Sequence, residues 1–287
     1  MSRVHKLHRW QWLWLIPAAL LVWWPLWFLF MGALMSQEEL RLTIGPALGL
    51  GTGYTVWHLL PDWPTLEPLL TLLLDTPQFF VMFWNSIGQS VAQVAGNLLV
   101  GAPAAWAISR LRFRGRSMVR GLYIVLMLLP FQVTMVPSYL VLRQFGLLDT
   151  PWAIILPGIF STFPVFIMER GFDTVPREVL ESASIDGANQ WQRFWRIGIP
   201  LGIPGLIPPR SLGFLDAWNA IEQPMTFLES PQYWPLSLFF TDPANLDTKQ
   251  LGLAMAASLW MLLPSILAFR FGQTYLEAGL TKGAVKG

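Results

Sequence analysis

Cysteine is absent from the 287 residues, which excludes disulfides and thiolate metal ligands. Histidine is nearly absent. His5, His8 and His58 include no metal-spaced pair beside an acid on a helix, so no metal site is expected. Charge is scarce as well. Asp, Glu, Lys and Arg make up 13% of the chain, where a soluble domain carries about 25%. No G-x-x-x-x-G-K-[ST] stretch occurs, so ATP is not bound by that device. No Ser-His-Asp or Cys-His set can be assembled. The chain is therefore expected to be no enzyme and to hold no cofactor of its own, and no nucleic-acid partner is expected.

What is present is apolar. Hydrophobic residues make up 54% of the chain, with sixteen tryptophans, and Trp concentrates at membrane–water interfaces. Arg3, Lys6 and Arg9 precede an apolar run that continues to Leu34. That run is too long for a signal-peptide core and lacks a small-residue cleavage site, so it reads as a retained span. Runs at about 12–35, 79–108, 121–142, 151–168, 200–220 and 251–271 each suffice to cross roughly 30 Å of hydrocarbon as a helix. The expected fold is all-α, a polytopic membrane protein with six transmembrane helices. Residues 1–78 hold the N-terminal tail, the first span and an external segment with an interfacial helix; residues 79–287 hold the remaining five spans. Gly88, Ala92, Ala95 and Gly96 could form a small-residue packing face on the second span.

Lys and Arg counts give an orientation. Alternate segments carry Arg3, Lys6 and Arg9; Arg110, Arg112, Arg114, Arg116 and Arg120; Arg170, Arg177, Arg193 and Arg196; and Arg270, Lys282 and Lys286. The opposite side has only Arg41, Arg143 and Lys249. Both termini and the segment 169–199 are thus expected in the cytoplasm, with the chain multi-pass in the membrane.

That segment is unusually polar for this chain. Asp173 or Thr174 could cap a helix that has Pro176 in its first turn. Gly187 follows Ile185-Asp186, where a helix could end at positive φ. A second helix reads from about Ala188 through Trp191, Phe194, Trp195 and Ile197, with apolar residues three and four apart and Pro200 at its end. The pattern predicts an amphipathic helix-turn-helix between two spans.

The stretch ESASIDGANQWQRFWRIGIP, residues 181–200, resembles the EAA motif of ABC importer permeases: E-A-A, three residues, G, nine residues, I-x-L-P. Ser182 stands for Ala and Ile199 for Leu. Four further stretches resemble the carbohydrate-type branch of that family: FWNSIGQSVAQVAGNLLVGAPAAWAISRLRFRGR, MLLPFQVTMVPSYLVLRQFGLLDT, Trp218-Asn219 and the ending GLTKGAVKG. The resemblance covers about residues 80–287.

It implies that Glu181, Ser182, Ala183, Asp186, Gly187, Ile197 and Pro200, within an EAA loop at 173–200, form the coupling contact with a separate ATPase. Trp191, Phe194 and Trp195 would anchor the second helix against the bundle. It also implies a second permease subunit in a heterodimer, an ABC ATPase dimer that binds ATP and Mg, an extracytoplasmic solute-binding protein, and surrounding membrane lipid. The solute would be a sugar or sugar-like compound of oligosaccharide, polyol or glycerol-phosphate type. Alternatives are a non-sugar solute, or a secondary carrier or membrane-embedded enzyme. A carrier should show paired intramembrane acids or inverted repeats, and neither is evident.

PGLIPPRSLGF, residues 204–214, departs from the family's uninterrupted apolar stretch. Pro208-Pro209 is expected to break the helix locally. Arg210 is an intramembrane charge, which usually faces a cavity or a partner. It could line the translocation path, or pair with Asp216, Glu222 or the sister permease. Trp218 and Asn219 are further candidates for the path.

Overall fold

The computed structural model describes residues 9–49, 54–56, 58–241 and 250–284, with side chains from 12 to 273 within them. Arg3, His5, Lys6, His8, Lys249 and Lys286 lie outside the described residues, as do the side chains of Arg9 and of the tail from 279 on. Among the described residues every regular element is helical. Long apolar runs, whose backbone groups cannot turn to water in a membrane, leave the helix as the available solution.

Two compact units are formed, one from Met1–Phe79 with Phe240–Leu263, the other from Phe80–Phe239 with Pro264–Gly287. In the first, helix α1 (Arg9–Gly32) continues through Pro17 and Pro25. From Trp12 to Phe30 no residue is buried, so this stretch is apolar all round, as a lipid-facing helix is. It ends three residues short of the expected limit, and Ser36 caps the short α2 (Gln37–Ile44) by accepting from the Glu39 N–H. Met31, Met35 and Leu40 are buried together. The Trp27 Nε1–H donates to the Leu59 carbonyl and the Thr65 N–H to the Leu34 carbonyl. These bonds tie the irregular segment to α1 and α2. A one-turn helix, α3 (Glu67–Leu70), runs into a π-turn at Thr71–Asp75.

The second unit is built on α4 (Pro77–Arg110), α8 (Thr162–Phe172) and α11 (Ile199–Asn219). Small residues set their spacing. A Cβ on Gly205 would stand 2.2 Å from Gly171 Cα, so α8 and α11 cross backbone to backbone. Of the small-residue face expected on α4, Gly96 is pressed by Ile159, whereas Gly88 faces open space. A buried polar stripe of Ser86, Gln89, Ser90, Gln93 and Asn97 also runs along α4. Asn85, Ser86 and Gln89 bond the backbone of residues 232–236.

Among the described residues four helices are long and apolar enough to cross a membrane: Trp12–Gly32, Pro77–Arg110, Trp152–Phe172 and Leu251–Gln273. The expected third span is instead two helices, α5 (Arg116–Leu128) and α6 (Phe131–Gln144), bent by 103°. Pro130 has no N–H, and it holds Leu129 extended at ψ 124. Counted as one span, this pair makes five. The span Trp152–Phe172 joins α7 (Trp152–Ile159) to α8, and Asn97 Nδ2 donates to the Ile159 and Ser161 carbonyls freed at the junction.

Helix α11 has the length of a span, 21 residues, but not the apolarity of the others. The expected break at Pro208-Pro209 does not occur. Packing explains this: Gly202 lies under Phe172, Gly205 on Gly171, and Pro209 and Ser211 are buried. Contacts on both sides of the prolines hold the helix where hydrogen bonds are lost. The second unit also contains α12 (Glu222–Phe227), and α13 (Leu251–Ala284) belongs partly to each unit.

Candidate functional site

Two short helices meet where the sequence predicts them, α9 (Arg177–Ile185) and α10 (Gln190–Arg193). The start of α9 differs from expectation. Pro176 occupies the cap position without a side-chain bond. Thr174 Oγ1 donates instead to the Gly171 carbonyl, and Asp173 accepts from Ser109 Oγ at 2.6 Å. Both residues finish α8 rather than begin α9.

The end of α9 is as read. Gly187 has φ +83. The Ala188 N–H bonds Ala183 O at 2.9 Å and the Gly187 N–H bonds Ser184 O at 3.2 Å, the paired bonds of a Schellman motif. Asn189 then opens α10 with a capping box: its side chain accepts from the Gln192 N–H, and its own N–H donates to Gln192 Oε1. Two capped ends sharing the four residues 186–189 fix the angle between the helices.

No helix ends at Pro200. Helix α10 passes through a π-turn, Phe194–Gly198, into α11, with Pro200 in the first turn of α11. The helix-turn-helix is thus covalently and helically continuous with α11.

One side of this element is packed and the other is open. Leu180 and Phe194 enter a core with Ala102, Ala105, Trp106, Val165, Met168, Phe172 and Val175, and Ile197 packs at its edge. Trp106 lies edge-on to Phe172, and a Cβ on Gly198 would strike its ring at 2.6 Å. Phe194 therefore anchors the second helix, as expected. Trp191 and Trp195 do not, being 60% and 48% exposed. Trp106 and Phe172 supply the other side of the anchor, and neither carries a sequence signal beyond being aromatic in a span. Glu181, Ser182, Asp186 and Gly187 are exposed, Ala183 is half-buried, Ile185 is 87% exposed and Pro200 is exposed.

The turn before α9 is clamped to the end of α4. The Arg110 guanidinium donates to the Phe172 and Val175 carbonyls. Arg116 donates to the Ser109 carbonyl at 2.7 Å, and Arg120 pairs with the buried carboxylate of Glu169. Three of the five arginines of the basic loop therefore have structural partners on this chain.

A cavity of about 1170 Å³ lies within the same unit, lined by residues of α4, α5, α6, α8, α11 and α12. Gln93, Asn97, Arg210, Asp216, Asn219 and Glu222 are its main polar lining. Glu222 accepts from Gln132 Nε2 through both oxygens. Among the described residues Arg210 makes no ion pair, so pairing with Asp216 or Glu222 on this chain is not what holds it. Asn219 lines the cavity while its Nδ2 donates to the Leu215 carbonyl. Trp218, the other expected wall residue, is only 1% exposed. It stacks on Phe214 and meets Phe83 edge-on, and it is core rather than wall.

At the far end of the unit, Asp149 holds the loop at 229–230. It sits at φ 55 and accepts from the Glu229 N–H, the Ser230 N–H and Ser230 Oγ. The Ser230 hydroxyl and N–H hold its carboxyl below the usual carboxylate range.

Known proteins share this architecture. Residues 97–282 match the family described as the binding-protein-dependent transport system inner membrane component. The chain is 32% identical over 234 residues to the inner membrane ABC transporter permease protein YcjP of Escherichia coli (strain K12), covering 80% of this chain and 83% of that protein. It is 28% identical over 227 residues to the arabinooligosaccharides transport system permease protein AraQ of Halalkalibacterium halodurans, covering 79% and 81%. In fold it is similar to a chain in the crystal structure of a bacterial ABC transporter involved in the import of the acidic polysaccharide alginate, with TM-score 0.77 over 92% of this chain and 94% of that one, at 23% identity. With well over half its length matched, the chain belongs to the family of binding-protein-dependent transport system inner membrane components, the ABC transporter permeases.

Proposed function

We propose that this chain is one transmembrane half of an ATP-driven importer for a sugar or sugar-like solute, delivered by an extracytoplasmic binding protein. Relatives named for arabinooligosaccharide transport support the solute class. A cavity of about 1170 Å³, its mostly apolar lining set with amides, hydroxyls and a few charges, has room for a solute at the upper end of the usual 300–1,000 Å³ pocket or above it. Six crossings follow if the bent α5–α6 pair and α11 each count as one. The arginine-rich end, with both termini, then faces the cytoplasm.

A single observation carries the coupling role. The α9–α10 element has one face fixed in the Trp106–Phe172–Phe194 core and the other open, and it continues into α11. A force applied to the open face is delivered to the cavity wall without passing through a flexible joint. In this reading Glu181, Ser182, Ala183, Asp186 and Gly187 meet a groove on a separate ATPase. Small side chains permit close approach, and Glu181 offers a charge to a basic partner residue. Ile197 and Pro200 transmit the movement. ATP and Mg are bound by the ATPase dimer, and a second permease completes the channel, where Arg210 and Asn219 face the solute path.

Co-purification from detergent tests this. The wild-type chain should bring down an ATPase and a second permease, and reconstituted vesicles should take up oligosaccharide only with ATP and binding protein. The double variant Glu181→Ala/Gly187→Pro should retain the second permease and lose the ATPase. A well-folded wild type that recruits no ATPase would overturn the proposal in favour of a secondary carrier.

A further inference from the structure

We propose that Glu39, His58 and Asp62 form a binding site for a divalent transition-metal ion, Zn²⁺ or Mn²⁺, that fastens residues 58–62 to the start of α2. The three side chains each offer one ligand atom, and these atoms lie within 4.8 Å of one another. An ion about 2.0–2.2 Å from each of its tetrahedral ligands holds them about 3.3–3.6 Å apart, so side-chain movement of about 1 Å closes the set.

The protein's own bonds leave this cluster unfinished. Glu39 Oε1 accepts from the Asp62 N–H at 2.7 Å, which orients the carboxylate. Its other oxygen, Oε2, is buried and has no hydrogen-bond partner. A desolvated carboxylate oxygen without a partner is costly and calls for a cation. His58 Nδ1 stands 3.6 Å from Asp62 Oδ2, too far for a good hydrogen bond. Two carboxylates and an imidazole converge while neither acid–base contact is tight. Glu39 is itself held in place, because its N–H donates to the Ser36 cap. One imidazole with two carboxylates suits zinc or manganese; magnesium and calcium prefer sites made wholly of oxygen. The irregular segment from 58 to 62 has few other ties, chiefly the Trp27 bond to the Leu59 carbonyl. An ion here would supply the missing one.

Glu39→Gln is the informative variant. Its Oε1 can still accept from the Asp62 N–H, so the fold is kept while the charged oxygen is lost. Zinc chloride is titrated calorimetrically into the metal-stripped, tag-free chain in detergent, in a His5→Ala/His8→Ala background that removes the other two histidines. One zinc per chain is expected, with affinity at least tenfold weaker in Glu39→Gln, His58→Ala and Asp62→Asn, and zinc should raise the melting temperature of the background chain alone. Manganese should compete. Absence of zinc binding, or equal binding in the three variants, would overturn the site. Magnesium or calcium binding as tightly as zinc would overturn the assigned metal class.

Discussion

At the scale of single residues, the strongest constraints come from what a side chain would displace or leave unpaired. Gly205→Ala places a methyl group against the Gly171 backbone, with no flexible side chain to give way. Forced overpacking of this kind costs about 1–3 kcal/mol, so the variant should melt several degrees lower in detergent, whereas Gly88→Ala, facing open space, should melt like the wild type. Glu169 is buried beneath Arg120. Removing the arginine alone strands a buried charge, at about 3–5 kcal/mol in a fully enclosed site and less here, where Arg120 is partly exposed. Arg120→Met should therefore destabilise more than the double change Arg120→Met/Glu169→Leu, a comparison that thermal unfolding of the three variants makes directly. Asp149 gives a pH dependence. Its folded-state carboxyl lies below the ordinary value because Ser230 donates to the ionised form. The stabilisation is thus fully present above the unfolded value and is lost as pH falls through the lowered folded one. Hydrogen exchange at the Glu229 and Ser230 amides, taken relative to the intrinsic rate at each pH, should accelerate below about pH 4 in the wild type. In Asp149→Asn it should be faster at neutral pH and lack that acid transition.

At the scale of elements, the α9–α10 turn was legible because its rules are local. A glycine after a helical run specifies a C-cap whatever surrounds it; the Asn189-x-x-Gln192 box that opens α10 is equally local, although the sequence reading starts that helix at Ala188. Proline was read less well because its effect depends on packing. Pro130 bends α5–α6 by 103°, while Pro204, Pro208 and Pro209 stay within one helix clasped by Gly171 and Phe172. Nothing in the dipeptides distinguishes the two cases. The aromatics divide likewise: Trp191, Phe194 and Trp195 share one helical stripe, yet only Phe194 reaches the core. Trp218 is a path candidate by its position at a span end, and only tertiary packing places it against Phe83 and Phe214. A test at this scale concerns stiffness. Gly187→Ala forces a side chain into the left-handed region, at roughly 1–2 kcal/mol. It should lower ATP-driven uptake more than it lowers the melting temperature of the whole chain, because it loosens only the joint between α9 and α10. Trp106→Leu, which removes a wall of the core under Phe194, should lower both together. Uptake and melting temperature measured on the same vesicle preparations separate these outcomes.

At the scale of the whole molecule, the distribution of charge relative to the bonding pattern decides orientation. Within the second unit, Arg110, Arg116 and Arg120 gather at the end that carries α9. The opposite end is closed by neutral amides and by Asp149 against residues 227–236. Three of these arginines have structural work at the α4–α8 junction, so their number alone is an ambiguous topological signal; Arg112, Arg114, Arg170, Arg177, Arg193 and Arg196 extend the same bias on the same side. Because the chain has no cysteine, single cysteines report orientation without further engineering. Ser182→Cys on α9 and Gln232→Cys in the far loop are both exposed, and neither side chain has a hydrogen-bond role above. A membrane-impermeant maleimide applied to intact spheroplasts should label Gln232→Cys and spare Ser182→Cys, and inside-out vesicles should give the reverse. If the assembled complex is then isolated with its ATPase, Ser182→Cys should become protected in inside-out vesicles as well, since the open face of α9 is the surface the ATPase would cover. Labelling of Ser182→Cys from the outside would invert the topology and remove the coupling role; unchanged labelling in the assembled complex would place the ATPase elsewhere while leaving the orientation intact.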